Sequence, residues 1–317
     1  NPLDAKTAMG LRDWRPEGCV GQYRLPGCAV DLGLPNMSFS EAVAAGANSV
    51  VIGVAPSGGA LKVEWVSVLT EAIRSGLSLV SGLHRKLSEE SALVTAAAAS
   101  GQQLIDIRVP PASISIATGR QRSGKRLLMV GTDCCVGKKY SALSLHKALQ
   151  ERGVAATFRA TGQTGILISG GGIPMDAVVS DFLSGAAETL TPDAASDHWD
   201  VIEGQGSLFH PAYAAVTLGL LHGSQPDAMV LCHGSGRTVI DEYEDYPVPD
   251  LRECVTQYEQ AARVTNRQSS IVGISLNTQG LSDTEALSAC RDASTLTGLP
   301  CVDPMRHTLD SILDALP

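Results

Sequence analysis

The chain contains no Cys-x-x-Cys pair, no internal repeat, no low-complexity tail and no apolar run approaching the roughly 20 residues that span a bilayer. Each absence closes a class of function. The eight cysteines (Cys19, Cys28, Cys134, Cys135, Cys232, Cys254, Cys290 and Cys301) are scattered, so neither a zinc site nor a disulfide framework is expected. Reduced, buried thiols fit the pattern better. Positive charge is in deficit: 24 Lys and Arg stand against 33 Asp and Glu, and a net charge of −9 argues against a general affinity for nucleic acid. No signal peptide is read at the start of the chain, and a cytoplasmic protein with no membrane partner is expected. What remains is ordinary globular composition, 44% apolar and 18% charged over 317 residues, enough for two domains.

Strand and helix patterns alternate from end to end, which implies an α/β architecture with parallel sheets. In the first part, strands are expected at Ser49–Ala55, Leu77–Val80 and Gln103–Ile107, with helices near Ser40–Ala45, Trp65–Arg74 and Ala92–Ala99. Pro110–Pro111 and the polar, basic stretch Thr118–Arg126 then interrupt regular structure, and the domain boundary is placed there, giving domains 1–120 and 121–317. In the second part, strands are expected at Arg126–Gly131, Ala155–Ala160, Trp199–Glu203, Ala228–His233 and Ile271–Leu276. Helices are expected between them, near 138–152, 176–190, 211–222, 250–265, 283–297 and 305–315.

The most informative segment is Arg126–Tyr140, where an apolar strand runs into a glycine-punctuated loop and then a helix. Gly131 is expected to turn the chain, Gly137 to let the backbone approach an anion, and Lys138 to supply charge. With the free N–H groups of the following helix this makes a phosphate cradle of the P-loop kind. Its members are Gly131, Thr132, Asp133, Cys134, Cys135, Val136, Gly137, Lys138, Lys139 and Tyr140. One position breaks the pattern. The hydroxyl that ordinarily follows the lysine and holds Mg²⁺ is replaced by Lys139. Two lysines without a magnesium ligand suit holding a phosphorylated molecule better than cleaving it, and no metal is expected.

Ligands of open parallel sheets bind beyond the carboxyl ends of the strands, so residues just after each strand are the next candidates. Arg159, Gln163 and Thr164 follow the second strand of the second domain and can grip a carboxylate or phosphate. Glu203 ends the third strand, before Gly204 and Gly206, with His210 downstream; a carboxylate or a histidine there can take a proton from a substrate amine. His233 and Arg237 lie on the glycine loop after the fourth strand, and Arg237 can bind a carboxylate through two parallel hydrogen bonds. Asn277 ends the fifth strand, where it can read an adenine base. Asp176 and Asp181 are as readily helix-surface charges as site residues, and Val54–Gly59, Gly82–Arg85, Asp106 and Arg108 end strands of the first domain.

The loop Gly-Thr-Asp-x-x-Val-Gly-Lys resembles dethiobiotin synthetase, a P-loop ATP-dependent enzyme. Taken with RATGQTGI, GGGIPMDAVVSDFLSGAAE, IEGQGSLFHP and CHGSGR, in that order, and with VVIGVAPSGG, SGLHRKLSEE and DIRVPP before them, the chain resembles more closely the D-glutamate (D-amino acid) N-acetyltransferases. These belong to a family long labelled only as of unknown function. The resemblance implies a Rossmann-like N-terminal domain and a P-loop NTPase-like C-terminal domain. It also implies transfer of acetyl from acetyl-CoA to the amino group of a D-amino acid, D-glutamate foremost, in D-amino-acid catabolism. On that reading the cradle holds a phosphate of CoA, with Asn277 beside it. Arg159, Gln163, Thr164 and Arg237 hold the acidic acceptor, and Glu203, His210 or His233 is the base. Gln163 or Ser207 can face the oxyanion, and a covalent acyl-cysteine at Cys134 or Cys135 is an alternative route. A homo-oligomer is also expected. Two other readings stay open at this point: an ATP-dependent ligase or carboxylase like dethiobiotin synthetase, and a non-catalytic nucleotide sensor.

Overall fold

The computed structural model describes residues 4–56, 59 and 61–317. Ser57 and Gly58, in the loop expected at Val54–Gly59, lie outside the described residues. The chain forms two compact units, one of residues 1–109 with 163–174 and the other of 110–162 with 175–317. The excursion at 163–174 is absent from the sequence reading. Among the described residues no helix is long and apolar enough to cross a membrane.

The first unit is built on three parallel strands in the order β1 (Ser49–Val51), β2 (Ser78–Ser81) and β3 (Leu104–Asp106). Helices Val63–Arg74 and Ser91–Ser100 pack against each other, and Leu69, Ile73, Leu79, Leu87 and Leu93 form the centre of the core. Helix Phe39–Ala44, expected near Ser40–Ala45, starts one residue earlier, where Ser38 and Glu41 close a capping box. The first strand is shorter than the apolar run Ser49–Ala55. Beyond Ile52 the backbone leaves the sheet and bonds to the N-terminal segment: Gly53 O accepts from Ala8 N at 3.0 Å, and Ala55 N donates to Asp4 O at 2.7 Å.

The second unit carries a six-stranded parallel sheet. Its strands are β4 (Lys125–Gly131), β5 (Ala156–Arg159), β6 (Trp199–Ile202), β7 (Ala228–Gly234), β10 (Ser270–Asn277) and β11 (Cys301–Val302). A two-stranded antiparallel hairpin, β8 (Val239–Ile240) and β9 (Tyr243–Pro247), interrupts the run after β7. The order across the sheet is β11-β10-β7-β4-β6-β5. The chain thus winds from β4 to one side through β5 and β6, then crosses β4 to reach β7 and continue outward. That reversal is a topological switch point, and the loops after β4, β6 and β7 meet at its carboxyl edge. Leu127, Leu128, Met129 and Val130 of β4 are buried on both faces, as a central parallel strand requires.

Two expected helices fall to about half their sequence windows or less, whereas the window 250–265 keeps a helix at Leu251–Ala262. The window 176–190 opens as single turns at Met175–Ala177 and Ser180–Phe182, and the α-helix spans only Leu183–Leu190. The β-branched pair Val178–Val179 lies between the two turns, where it disfavours helix. The window 305–315 holds a helix only at Asp310–Leu313. Before it, Asp303 accepts from Met305 N at 2.8 Å through its side chain and from His307 N at 2.9 Å through its carbonyl, which ties Pro304–His307 into a turn.

Candidate functional site

The cradle is present, but its turn falls elsewhere than expected. Gly131 is still the last residue of β4. The left-handed backbone lies at Cys135 (φ 57°) and Gly137 (φ 102°), and helix Lys138–Glu151 starts immediately after. At Gly131 the need for glycine is spatial: a Cβ would stand 3.0 Å from both Lys138 Nζ and Val136 Cγ2. At Gly137 the need is conformational. Cys135, exposed, holds its left-handed conformation without that freedom, which places about 1–3 kcal/mol of backbone strain at the tip of the loop.

Lys138 is 7% exposed, and its ammonium donates to Asp133 O at 2.7 Å, closing the loop on itself. Two of its three donors therefore remain for a ligand. Lys139 is half-buried and stands over the Tyr140 ring at 5.2 Å. Asp133 is wholly buried and well satisfied. Its Oδ1 accepts from Cys134 N at 2.6 Å, and its Oδ2 accepts from Asp241 N at 2.8 Å and Arg237 Nη1 at 3.2 Å. Thr132 Oγ1 pairs with His233 Nδ1 at 2.8 Å. Burial, and then the nearby Arg237 charge, hold the His233 pKa below its ordinary value. The loops after β4 and β7 are thus joined through Thr132–His233 and Asp133–Arg237.

Glu203, directly after β6, is buried. Its Oε2 accepts from Thr161 N and Gly162 N, each at 3.0 Å, and its backbone carbonyl accepts from Thr161 Oγ1 at 2.6 Å. Burial raises its pKa; the two backbone donors, Lys139 and Lys138 oppose that shift without cancelling it. A buried glutamate that shares an electrostatic environment with two lysines and gives up its proton later than usual has the chemistry of a proton acceptor. Gly204 lets this strand end lie against β4, since a Cβ there would overlap the Met129 carbonyl oxygen. Gly204→Ala is expected to lower stability by about 1–3 kcal/mol through overpacking, read as a lower denaturant midpoint at unchanged slope.

His210 is buried, its ring tilted against Tyr213 and edge-on to Tyr243, with centroids at 4.5 and 5.1 Å. Burial lowers its pKa more than the nearby Asp133 raises it. Its ring nitrogen, the Cys134 thiol and an Asp133 oxygen all lie within 4.8 Å of one another, a set with metal-ligand chemistry. Two observations tell against an ion there. The Asp133 oxygens already take three donors, and His210 Nδ1 accepts from Ala212 N at 3.1 Å. That contact places the neutral imidazole proton on Nε2, whereas a ligating imidazole presents one bare nitrogen and donates from the other.

The remaining candidates are dispersed. Asn277 ends β10 beside Gly137; its carbonyl accepts from Ser235 N at 2.9 Å and its Oδ1 from Gln279 N at 3.0 Å. Arg159 donates through Nε to the buried Asp200 at 2.7 Å. Arg237 contacts both Asp133 and Asp241 through Nη1, at 3.2 and 3.0 Å. A cavity of about 520 Å³ opens along the segment after β7, with Ser235, Arg237, Thr238, Asp241 and Glu244 in its wall. Gln163 and Thr164 belong to the first unit. There Thr164 pairs with Thr7 at 3.1 Å, and the Gln163 amide, oriented to satisfy both neighbours, donates to Gly82 O at 2.9 Å and accepts from Arg108 Nη2 at 3.2 Å. The structure makes Asp133 the buried joint of three loop segments, where the sequence presents it only as one of ten cradle residues. Its signal was an acid placed directly before the cradle cysteines. Ser207, buried with its hydroxyl accepting from Phe209 N at 3.2 Å, supports the loop that carries His210.

Residues 23–110 match a domain of unknown function described as the Rossmann-like DUF1611_N domain, and residues 115–313 match the DUF1611_C P-loop domain. The chain belongs to the DUF1611 family. It is 52% identical over 314 residues to a D-glutamate N-acetyltransferase of Tritonibacter scottomollicae, covering 99% of this chain and 94% of that protein. It is 48% identical over 311 residues to a D-glutamate N-acetyltransferase of a Pseudoalteromonas species, covering 98% and 94%. A crystal structure of a DUF1611 family protein from Anabaena variabilis superposes with a TM-score of 0.87 at 35% identity, covering 99% of this chain and 95% of that one. The fold is therefore that of the family, a Rossmann-like N-terminal domain and a P-loop C-terminal domain, each with a parallel sheet.

Proposed function

We propose that this DUF1611 protein is an N-acetyltransferase that moves acetyl from acetyl-CoA to the amino group of a D-amino acid, with D-glutamate the first acceptor to test. The observation that carries the reading is Lys139, which stands where a nucleotide-cleaving loop keeps its magnesium-binding hydroxyl. A cradle with two lysines neutralises a phosphate without a metal, and transfer from a thioester breaks no phosphoryl bond. The names of two relatives near 50% identity point the same way.

In this reading Gly131–Lys139 and Asn277 hold a phosphate of CoA. The acceptor arrives as an ammonium and loses a proton to Glu203, with His210 and His233 as the alternative bases. The free amine attacks the acetyl carbonyl, and CoA leaves as the thiol. Arg237, held by Asp133 and Asp241, lines the adjoining cavity, where its planar guanidinium can meet an acceptor carboxylate. Arg159, Gln163 and Thr164 are weaker candidates for that role, because each already has a partner in its own unit.

The test is release of free CoA thiol together with N-acetyl product from acetyl-CoA and D-glutamate, in the presence of a chelator. Turnover with D-glutamate, undiminished by the chelator, is expected. No product with any D-amino acid, or product only with ATP and Mg²⁺ present, would overturn the proposal.

A further inference from the structure

Helix Leu251–Ala262 buries Leu251, Cys254, Tyr258 and Ala262 at helical spacing. The Tyr258 side chain is fully buried, yet its hydroxyl is used to capacity. It donates to Gly131 O at 2.7 Å, and accepts from Leu208 N at 3.1 Å and from Gly131 N at 3.4 Å. One donor and two lone pairs are all a phenol has. Its ring also stands edge-on to Phe209, with centroids 5.6 Å apart. A single phenol thus touches the first residue of the phosphate cradle and the two residues immediately before His210.

The same stretch of chain grips the cradle a second time. The hairpin β8–β9 turns at Asp241–Glu242, with Glu242 at φ 66°, and the Asp241 N–H meets the buried Asp133 carboxylate. Asp250 then caps the helix that carries Tyr258, accepting from Arg252 N and Glu253 N. The cradle is therefore held from the hairpin through Asp133 and from the helix through Gly131.

We propose that Tyr258 is a positioning residue that fixes the phosphate cradle relative to the loop carrying Glu203 and His210, so that cofactor and base are held in register. The cofactor half of this inference rests on the acetyl-CoA reading above; the loop-ordering half does not. Phenylalanine at this position keeps the ring and its contact with Phe209, and removes only the hydroxyl. Gly131 O, Gly131 N and Leu208 N then each lose their hydrogen bond to the phenol.

The experiment compares wild type, Tyr258→Phe and Leu251→Ala. The last truncates a buried side chain of the same helix that makes no hydrogen bond to either loop. Amide hydrogen exchange is read at 131–139 and 207–210, and CoA affinity by calorimetry. Tyr258→Phe is expected to raise exchange in both loops and weaken CoA binding about tenfold or more, with KM for acetyl-CoA rising further than KM for the acceptor. Leu251→Ala is expected to lower Tm while leaving both loops and CoA affinity near wild type. Wild-type exchange at both loops in Tyr258→Phe would overturn the inference, as would equal loosening in Leu251→Ala. If the loops loosen as expected but wild type binds no CoA, Tyr258 keeps its positioning role and the acetyl-CoA reading fails instead.

Discussion

Lys138→Ala is expected to raise the dissociation constant for CoA by roughly a hundredfold while the protein stays folded. The ammonium is buried and already gives one hydrogen to Asp133 O, so its position is set before a ligand arrives. A charge-assisted hydrogen bond to phosphate is worth about 1.5–3 kcal/mol net. Loss of about 2.7 kcal/mol corresponds to a hundredfold in affinity. Alanine also takes the donor from the carbonyl of the buried Asp133, so a loss of stability of about 1–3 kcal/mol is expected beside the loss of binding. Calorimetric titration of CoA checks this. Lys139→Ala, at a half-buried neighbour, should have a smaller effect of the same sign.

Glu203→Gln should separate chemistry from binding. Turnover is expected to fall by about 10²–10⁴, the usual contribution of a positioned general base, with CoA affinity within a few-fold of wild type. Both backbone N–H groups go to Oε2, and a glutamine carbonyl oxygen can accept them as well. The packing around position 203 therefore survives the change. The pH dependence follows from the sign of the shift. Burial raises the Glu203 pKa, so the carboxylate fills only at higher pH than for an exposed glutamate. The acid limb of kcat/KM should then lie above the ordinary glutamate range, and Glu203→Gln should flatten it. For stability the same shift runs the other way. The protonated form is favoured in the folded state, so this group's contribution is full at low pH and is lost as pH rises through the raised pKa. An unshifted acid limb, or one retained in Glu203→Gln, would move the base to His210 or His233.

The cradle and the strands of the central sheet were legible because each follows from a local rule. Leu127–Val130 is apolar on both faces, as a buried parallel strand must be. Gly137 and Lys138 sit at a helix start, where free N–H groups converge. The place of Glu203, directly after a strand, is legible for the same reason. Non-local pairing was harder to read. Tyr258 lies on a helix whose apolar spacing is complete without its hydroxyl; the signal was that a buried phenol needs a partner, but the sequence does not say that the partner is Gly131. The excursion 163–174 reads locally as part of the glycine-rich loops after β5, and its membership of the first unit depends on contacts such as Thr7–Thr164, 157 residues apart. Hairpin β8–β9 was hidden by a turn, Asp241–Glu242, that lacks the usual glycine. Cys301–Val302 is too short to stand out as a strand, and exists through its pairing with Ile274 and Ser275.

The most direct measurement is a crystal structure of the protein with acetyl-CoA bound. It should show a CoA phosphate in the Gly131–Lys139 cradle, contacted by Lys138 and the helix N–H groups with no metal between them, and the thioester directed toward the acceptor cavity at Arg237. Phosphates bound elsewhere with the cradle empty, or a magnesium-bound triphosphate seated in it in preference to CoA, would contradict the account.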